Sequence, residues 1–152
     1  MSFITITQKD QFLCLESLFM AEKISFDSIE DVLIFHVSEQ QDLRVYIFLN
    51  KPIIYELKSE KFFNKILFSV FKIFNKNPLE IKTQLERNNL LTLLKLLENN
   101  LNNVLIPNDL DNSILWRTVD NGIQIPRTKL IYSKNNLSLT EVMRKHKILI
   151  DK

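Results

Sequence analysis

Few side chains in this sequence have the types and spacing that catalysis requires. The two histidines are His36, inside a hydrophobic stretch, and His146, between Lys145 and Lys147. Neither belongs to a His-x-Glu, His-Glu-x-x-His or Cys-His arrangement, so the pattern gives metal ligation little support. We interpret His36 as a structural histidine of a buried strand and His146 as a surface residue.

The carboxylates and serines do not form an evident catalytic pair either. Adjacent carboxylates occur at Glu30–Asp31, and Asp109 and Asp111 flank a leucine in a polar loop. Turn capping explains the second pair better than acid–base catalysis. Ser133 has no partnering base near it in the sequence. We therefore predict no catalytic residue, no metal site and no cofactor.

The glycine and cysteine contents exclude further classes of site. The 152 residues include one glycine, Gly122, where average usage would give about 11. Phosphate-binding loops and nucleophile elbows need several glycines or a glycine pair at fixed spacing, so both are excluded. Cys14 is the one cysteine and lies between two leucines, which predicts a buried apolar residue and no intramolecular disulfide. These features point away from an enzyme.

Composition places the chain among ordinary globular proteins. It is 45% hydrophobic and 25% charged, with a net charge of +2, and its length predicts one domain. The N-terminus lacks an unbroken apolar core and no apolar run is long enough to span a bilayer, so we expect a cytoplasmic protein without membrane contact.

Basic residues are concentrated near the C-terminus. From position 127 to 152 there are seven lysines and arginines against two carboxylates. This segment is either a solvated basic helix end or an electrostatic contact surface. Few aromatic residues accompany it, so we expect no stacking platform for single strands and no direct sequence-specific contact with nucleic acid.

The N-terminal residues carry an amphipathic pattern. Within residues 9–24, Phe12, Leu15, Leu18 and Phe19 fall on one face of a predicted helix, and a helix this short needs a partner surface. We therefore predict a partner-binding segment over residues 1–26, anchored by these four side chains, followed by an α/β domain over 27–152. The alternative is that the helix packs on its own domain.

The remaining pattern alternates strands and helices. Strands are predicted at 31–37, 43–49, 79–85, 104–106 and 129–132. Helices are predicted at 60–75, after an Asn88 or Asn89 cap, and after a Ser138–Glu141 capping box. This order is typical of an α/β fold, and we expect a single domain with a small mixed sheet flanked by helices.

One further pair of residues has a functional interpretation. Trp116 and Arg117 are adjacent, and both residue types are frequent anchors of protein interfaces. The alternative is a tryptophan in the core with an arginine at the surface.

The order of elements resembles the psi subunit family of the bacterial DNA polymerase III holoenzyme. The similarity lies in the adjacent strands DVLIFHV and LRVYIFL, the helix FFNKILFSVFKIF, the Ser113-to-Arg117 element and the closing SLTEVMRKHKILI. The chain departs from the family at Phe19–Met20 and Lys23, where a Gly-Ile pair and a tryptophan are usual. It also departs at Leu149–Ile150, where a Leu-Trp pair is usual.

The resemblance implies a non-catalytic adaptor acting in DNA replication. The α/β body would bind the chi subunit, which contacts single-stranded-DNA-binding protein, and the N-terminal segment would bind the clamp-loader ATPase subunits. The protein would then be part of a heterodimer within a larger complex. Two alternatives remain: an immunity-type or other protein-binding α/β protein, and an enzyme without recognised motifs.

Overall fold

The computed structural model describes residues 4–36, 43–58, 61–74, 77–107, 117–120, 123–126 and 128–148. Within these ranges the chain forms two four-stranded antiparallel sheets, a two-stranded pair and three α-helices. The predicted α/β class is confirmed. Its strands form separate antiparallel sheets rather than one mixed sheet.

The two larger sheets combine strands from different parts of the chain. The N-terminal sheet contains, in spatial order, β1 (Thr5–Lys9), β2 (Phe12–Glu16), β3 (Met20–Ser25) and β6 (Ile54–Leu57). The central sheet contains, in spatial order, β10 (Thr128–Ser133), β4 (Ile29–His36), β5 (Leu43–Leu49) and β7 (Glu80–Leu85). A single turn of 3-10 helix, Phe26–Ser28, links the two sheets.

The helices are α1 (Phe62–Phe74), α2 (Arg87–Asn100) and α3 (Leu139–Lys145). The separate pair consists of β8 (Arg117–Asp120) and β9 (Ile123–Pro126). Residues 121–122, which follow β8 in the sequence and include Gly122, lie outside the described residues, as does Trp116.

The helix predicted over residues 9–24 is wrong, because these residues belong to β1, β2 and β3. Lys9 pairs with Phe12, so a two-residue loop joins the first two strands. Asp10 in this loop has φ of 53°, a left-handed conformation that glycine usually adopts in such hairpins. Since no glycine marks the turn, the sequence does not reveal the hairpin.

The N-terminal strands are part of the packed fold. β3 pairs with β6, with Met20 opposite Leu57. Leu13 of β2 lies opposite Ile24 of β3, and both are fully buried or nearly so. Residues 4–26 therefore contribute one wall of the core.

The strands predicted for the central sheet are confirmed. The predicted segments 31–37 and 43–49 coincide with β4 and β5 over the residues that the structure describes, and the two strands are antiparallel neighbours with Ile34 opposite Val45. The segments 129–132 and 79–85 form its two edge strands, β10 and β7. β5 is covered on both faces, since Val45 and Ile47 are buried in one apolar cluster and Phe48 in another.

α2 closes the larger of these clusters. Its inward stripe was predicted from leucine spacing and is buried as expected: Leu90, Leu93, Leu94 and Leu97. The helix begins one turn earlier than its predicted cap, with Glu86 rather than Asn88 or Asn89 at the N-cap. Residues 104–106 form no strand, although the Leu105 N–H donates to the Ile131 carbonyl oxygen at 2.7 Å.

α3 covers the opposite face of the central sheet. The predicted capping box is confirmed: the Glu141 N–H donates to Ser138 Oγ, and the Ser138 N–H donates to Glu141 Oε2 at 2.7 Å. Val142 and Met143 are buried against Leu33. The central sheet is therefore enclosed between α3 and the larger core.

Candidate functional site

β3 carries a glutamate where its alternation requires an apolar residue. Met20 and Ile24 are buried toward the core, and side chains two residues apart on a strand share a face. Glu22 lies between them, opposite Leu15 of β2 and Tyr55 of β6. The carboxylate of Glu22 is therefore on the inner face of the N-terminal sheet.

A groove of about 490 Å³ opens beside this carboxylate. We call it the Glu22 groove; it lies between the β2–β3 loop, β7 and α1. Most of its lining is apolar and includes Ile4, Leu15, Phe19, Ile53, Phe71 and Ile81. Clefts that bind ligands have volumes of about 300–1,000 Å³ and combine an apolar lining with a few polar groups. The Glu22 groove has both properties.

The carboxylate in this groove has no partner in the described part of the chain. Glu22 forms no hydrogen bond or ion pair there. Its burial raises the pKa of the carboxyl above the ordinary value, because desolvation disfavours the charged form. An ionised carboxylate in this environment disfavours folding. Residues with such a shifted pKa are concentrated at functional sites, so Glu22 is a candidate binding residue.

One side of α1 is an apolar surface in contact with solvent. Nine of the thirteen residues of α1 are apolar, more than one buried stripe requires. Phe62 is 79% exposed and Phe63 is 68% exposed, and Ile66 and Val70 are also exposed. We call these four residues the α1 face. Phe71, on the other side of the helix, packs its ring 5.4 Å from that of Tyr55.

The charges on α1 are all positive. The helix contains Lys65 and Lys72 and no carboxylate, and Lys61 directly precedes it. Lys65 and Lys61 are exposed. The α1 face is therefore an apolar patch beside cations, which is the composition of a docking surface for an apolar partner with acidic residues.

The structure separates the residues that the sequence predicted for partner binding. Leu15 and Phe19 line the Glu22 groove, Phe12 is half-buried in β2, and Leu18 is 85% exposed in the β2–β3 loop. These four do not form one helical face, since no helix is present. Trp116 and the side chain of Arg117 lie outside the described residues.

A second polar cluster joins α3 to the central sheet. Asp31 of β4 is fully buried, and its Oδ2 accepts a hydrogen bond from Lys145 Nζ at 2.7 Å. His146 Nε2 lies 2.7 Å from the same oxygen. The ring of His146 stacks on Phe48 with centroids 3.6 Å apart. The prediction that His146 is a surface residue is wrong, because its side chain is only 16% exposed.

This cluster has the properties of a structural contact. Burial by itself would raise the pKa of Asp31, but hydrogen bonds with Lys145 and His146 outweigh it and lower the pKa. Ser133 lies opposite Asp31 on β10, and its hydroxyl accepts a hydrogen bond from the Leu137 N–H at 3.1 Å. Because Ser133 bonds to Leu137 and has no hydrogen bond to the imidazole, the cluster lacks the nucleophile–histidine contact of a catalytic relay.

Other kinds of site find no support in the described ranges. No three histidine, cysteine or carboxylate side chains there come together as metal ligands. None of the helices there is long and apolar enough to cross a membrane. Cys14 is buried as predicted, and desolvation raises the pKa of its thiol.

Comparison with known proteins gives no relative. No family model, curated protein or solved structure matches this chain. The α1 face and the Glu22 groove are therefore the features from which its function can be inferred. The residues of the α1 face were not predicted as a site, although the excess of apolar residues in α1 was a signal for it. Leu15 and Phe19 of the groove were predicted to bind a partner, but on a helix that does not form.

Proposed function

We propose that this protein is a non-catalytic adaptor that binds another protein through the α1 face. One observation carries the proposal: a thirteen-residue helix leaves Phe62, Phe63, Ile66 and Val70 exposed to solvent. Large contiguous apolar patches are rare on proteins that act alone. Helices with such a face commonly pack their exposed side chains into an apolar groove of a partner.

The partner surface that fits is apolar and bordered by carboxylates. Lys61 and Lys65 flank the exposed face, so acidic residues around a partner groove would be attracted to them and would orient the helix. Aromatic side chains such as Phe62 and Phe63 bury a large apolar area in an interface.

The resemblance to the psi subunit gives this proposal a specific form. The partners would be the chi subunit and the clamp-loader ATPase subunits, and the adaptor would act in the cytoplasm during DNA replication. The helix expected at residues 9–24 is absent, so in this form α1 is the helix that docks. The resemblance supplies the names of the partners, and the α1 face supplies the contact.

The test is complex formation by size-exclusion chromatography with light scattering. The purified protein is mixed with the chi and clamp-loader subunits of the same organism. We expect a stable complex with the unaltered chain and a loss of affinity of at least about tenfold for the double variant Phe62→Asp/Ile66→Asp, because hot-spot residues contribute about 2 kcal/mol or more each.

The matched control is Thr92→Asp, which adds a negative charge to the exposed side of α2, where the structure shows no apolar face. This variant should bind as the unaltered chain does. If no complex forms with chi or the clamp loader, the replication role is overturned. If α1 instead binds anionic phosphatidylserine vesicles and no protein, a membrane-surface helix replaces the adaptor.

A further inference from the structure

The Glu22 groove lies beside a strand edge that the described residues leave open. β7 is an edge strand of the central sheet. The Leu49 N–H donates to the Leu79 carbonyl at 2.9 Å, and backbone groups alternate in direction along an antiparallel ladder. The N–H and C=O groups of Glu80, Lys82 and Gln84 therefore point away from β5.

Two charged residues of this edge, Glu80 and Lys82, are among the residues that line the groove. Lys82 lies opposite Tyr46 of β5, and its Nζ is 5.2 Å from the centroid of the Tyr46 ring. Lys82 also forms an ion pair with Glu80. Lys82 is thus already paired, and Glu22 has no cation partner among the described residues.

We propose that the Glu22 groove binds an extended segment of a protein partner, which pairs with the open edge of β7 and places a lysine ammonium against Glu22. The proposal rests on the protein-binding function inferred above and adds a second contact to it. It concerns a different surface from the α1 face, so the two can be tested separately.

Three features of the groove fit this occupant. An added strand satisfies the outward backbone groups of β7, as in strand addition to a sheet edge. The four-carbon stem of lysine matches the apolar lining formed by Leu15, Phe19 and Ile81, while its head group needs a carboxylate. Lysine carries a compact charge suited to one carboxylate, whereas the arginine fork needs several acceptors in a plane.

The experiment measures retention of peptide pools on the immobilised full-length chain. Each pool contains pentapeptides with random flanks and a fixed central residue: lysine, norleucine or glutamate. We expect the lysine pool to be retained about tenfold more than the norleucine pool, the preference expected of one charge-assisted hydrogen bond. The glutamate pool should be retained least.

Variants identify the group responsible. Glu22→Gln should lose the preference for lysine over norleucine, whereas Glu56→Gln, which removes a carboxylate of the same sheet that is paired with Lys23 and does not line the groove, should keep it. Thermal melting of both variants establishes that they are folded. Equal retention of the lysine and norleucine pools, or a lysine preference that persists in Glu22→Gln, overturns the proposal.

A second comparison tests the strand pairing. Peptides N-methylated at the residues flanking lysine lose backbone donors, and their retention should fall to the norleucine level. Unchanged retention overturns the pairing with β7. The Phe62→Asp/Ile66→Asp variant should retain the lysine pool fully, so a failure of the α1 interface and a failure of the groove give different results.

Discussion

The two flanks of this molecule, one covered by α3 and the other by α1, are built differently. On the α3 flank, Val142 and Met143 are buried against the central sheet and the Asp31 carboxylate is paired. On the α1 flank, Phe62 and Phe63 face solvent and the Glu22 groove is open. The first flank is covered by its own helix, and the second leaves apolar side chains and a groove open to solvent.

The two inward carboxylates show the same contrast. Asp31 is fully buried and its contacts with Lys145 and His146 lower its pKa, while desolvation raises the pKa of Glu22. A buried charge with partners contributes to the fold, but one without partners opposes folding. Residues that reduce stability persist where function requires them.

The largest expected difference between the flanks is in side-chain packing. Leu33 is fully buried beneath α3, whereas Ile66 is 45% exposed on α1. We expect Leu33→Ala to lower the free energy of unfolding by about 3 kcal/mol or more. Ile66→Ala should change it by less than about 0.5 kcal/mol. Urea denaturation measures both, and equal losses would contradict the contrast.

Removal of the paired carboxylate should have the next largest effect. Asp31→Ala leaves Lys145 and His146 without their common acceptor, and breaking a buried pair costs about 3 kcal/mol. Asp27→Ala is the control, since the side chains of Asp27 and its partner Lys51 are both largely exposed; we expect little change in stability. A variant at Asp31 as stable as the unaltered chain would show that the cluster does not hold α3.

The dependence of stability on pH in acid tests the same ion pair. A carboxyl with a lowered folded-state pKa stabilises the fold above its unfolded value, and this contribution disappears as pH falls through the folded-state pKa. The unaltered chain should therefore lose the Asp31 contribution below about pH 3.9, the unfolded value. Asp31→Ala should lose less of its free energy of unfolding as the pH falls below this value.

The opposite dependence of stability on pH is expected at Glu22. Its folded-state pKa is raised, so the unaltered chain loses stability as pH rises above the unfolded value of about 4.3. Glu22→Gln removes this loss and should raise the free energy of unfolding at pH 7 by about 1 kcal/mol. Thermal melting from pH 3 to 8 measures the difference, which should vanish at the acid end. Destabilisation at pH 7 would show that Glu22 has a structural role.

The smallest effect is expected at Glu16, on the outer face of the N-terminal sheet. Glu16 pairs with Lys9 and Lys58 at 2.6 and 2.8 Å, and hydrogen bonds with Lys58 and Lys9 lower its pKa to about 2. Near neutral pH, Glu16→Gln should lower stability less than Asp31→Ala does, because both lysine partners of Glu16 are exposed and solvent screens the pairs. Between pH 4.5 and about 2 the unaltered chain alone should lose this contribution, which acid titration of circular dichroism measures.

Much of the fold could be predicted because its local patterns agree with its tertiary structure. The leucine stripe of α2, the capping box at Ser138 and the paired strands β4 and β5 all follow from spacing and residue type. Asn103 adopts φ of 61° beyond α2, in place of the usual glycine. In these segments, residues that are close in the sequence determine which side chains are buried and how the helix ends are capped.

The N-terminal segment shows where local pattern is insufficient. Phe12, Leu15, Leu18 and Phe19 fit a helical face, but β6 provides edge hydrogen bonds to β3 and the core accepts Leu13 and Leu15. Strand pairing of this kind depends on a partner that lies about 30 residues further along the chain. The hairpin turn at Asp10 is left-handed but contains no glycine, so the sequence does not mark it.

The sequence by itself determined the α/β class, the three helices in outline and the four strands of the central sheet. Only the tertiary structure decided that Asp31 meets Lys145 and His146, that Glu22 has no partner in the described part of the chain, and that α1 exposes Phe62. The physical reason is that periodicity sets which side chains share a face, whereas burial and charge pairing depend on what the folded chain brings against that face.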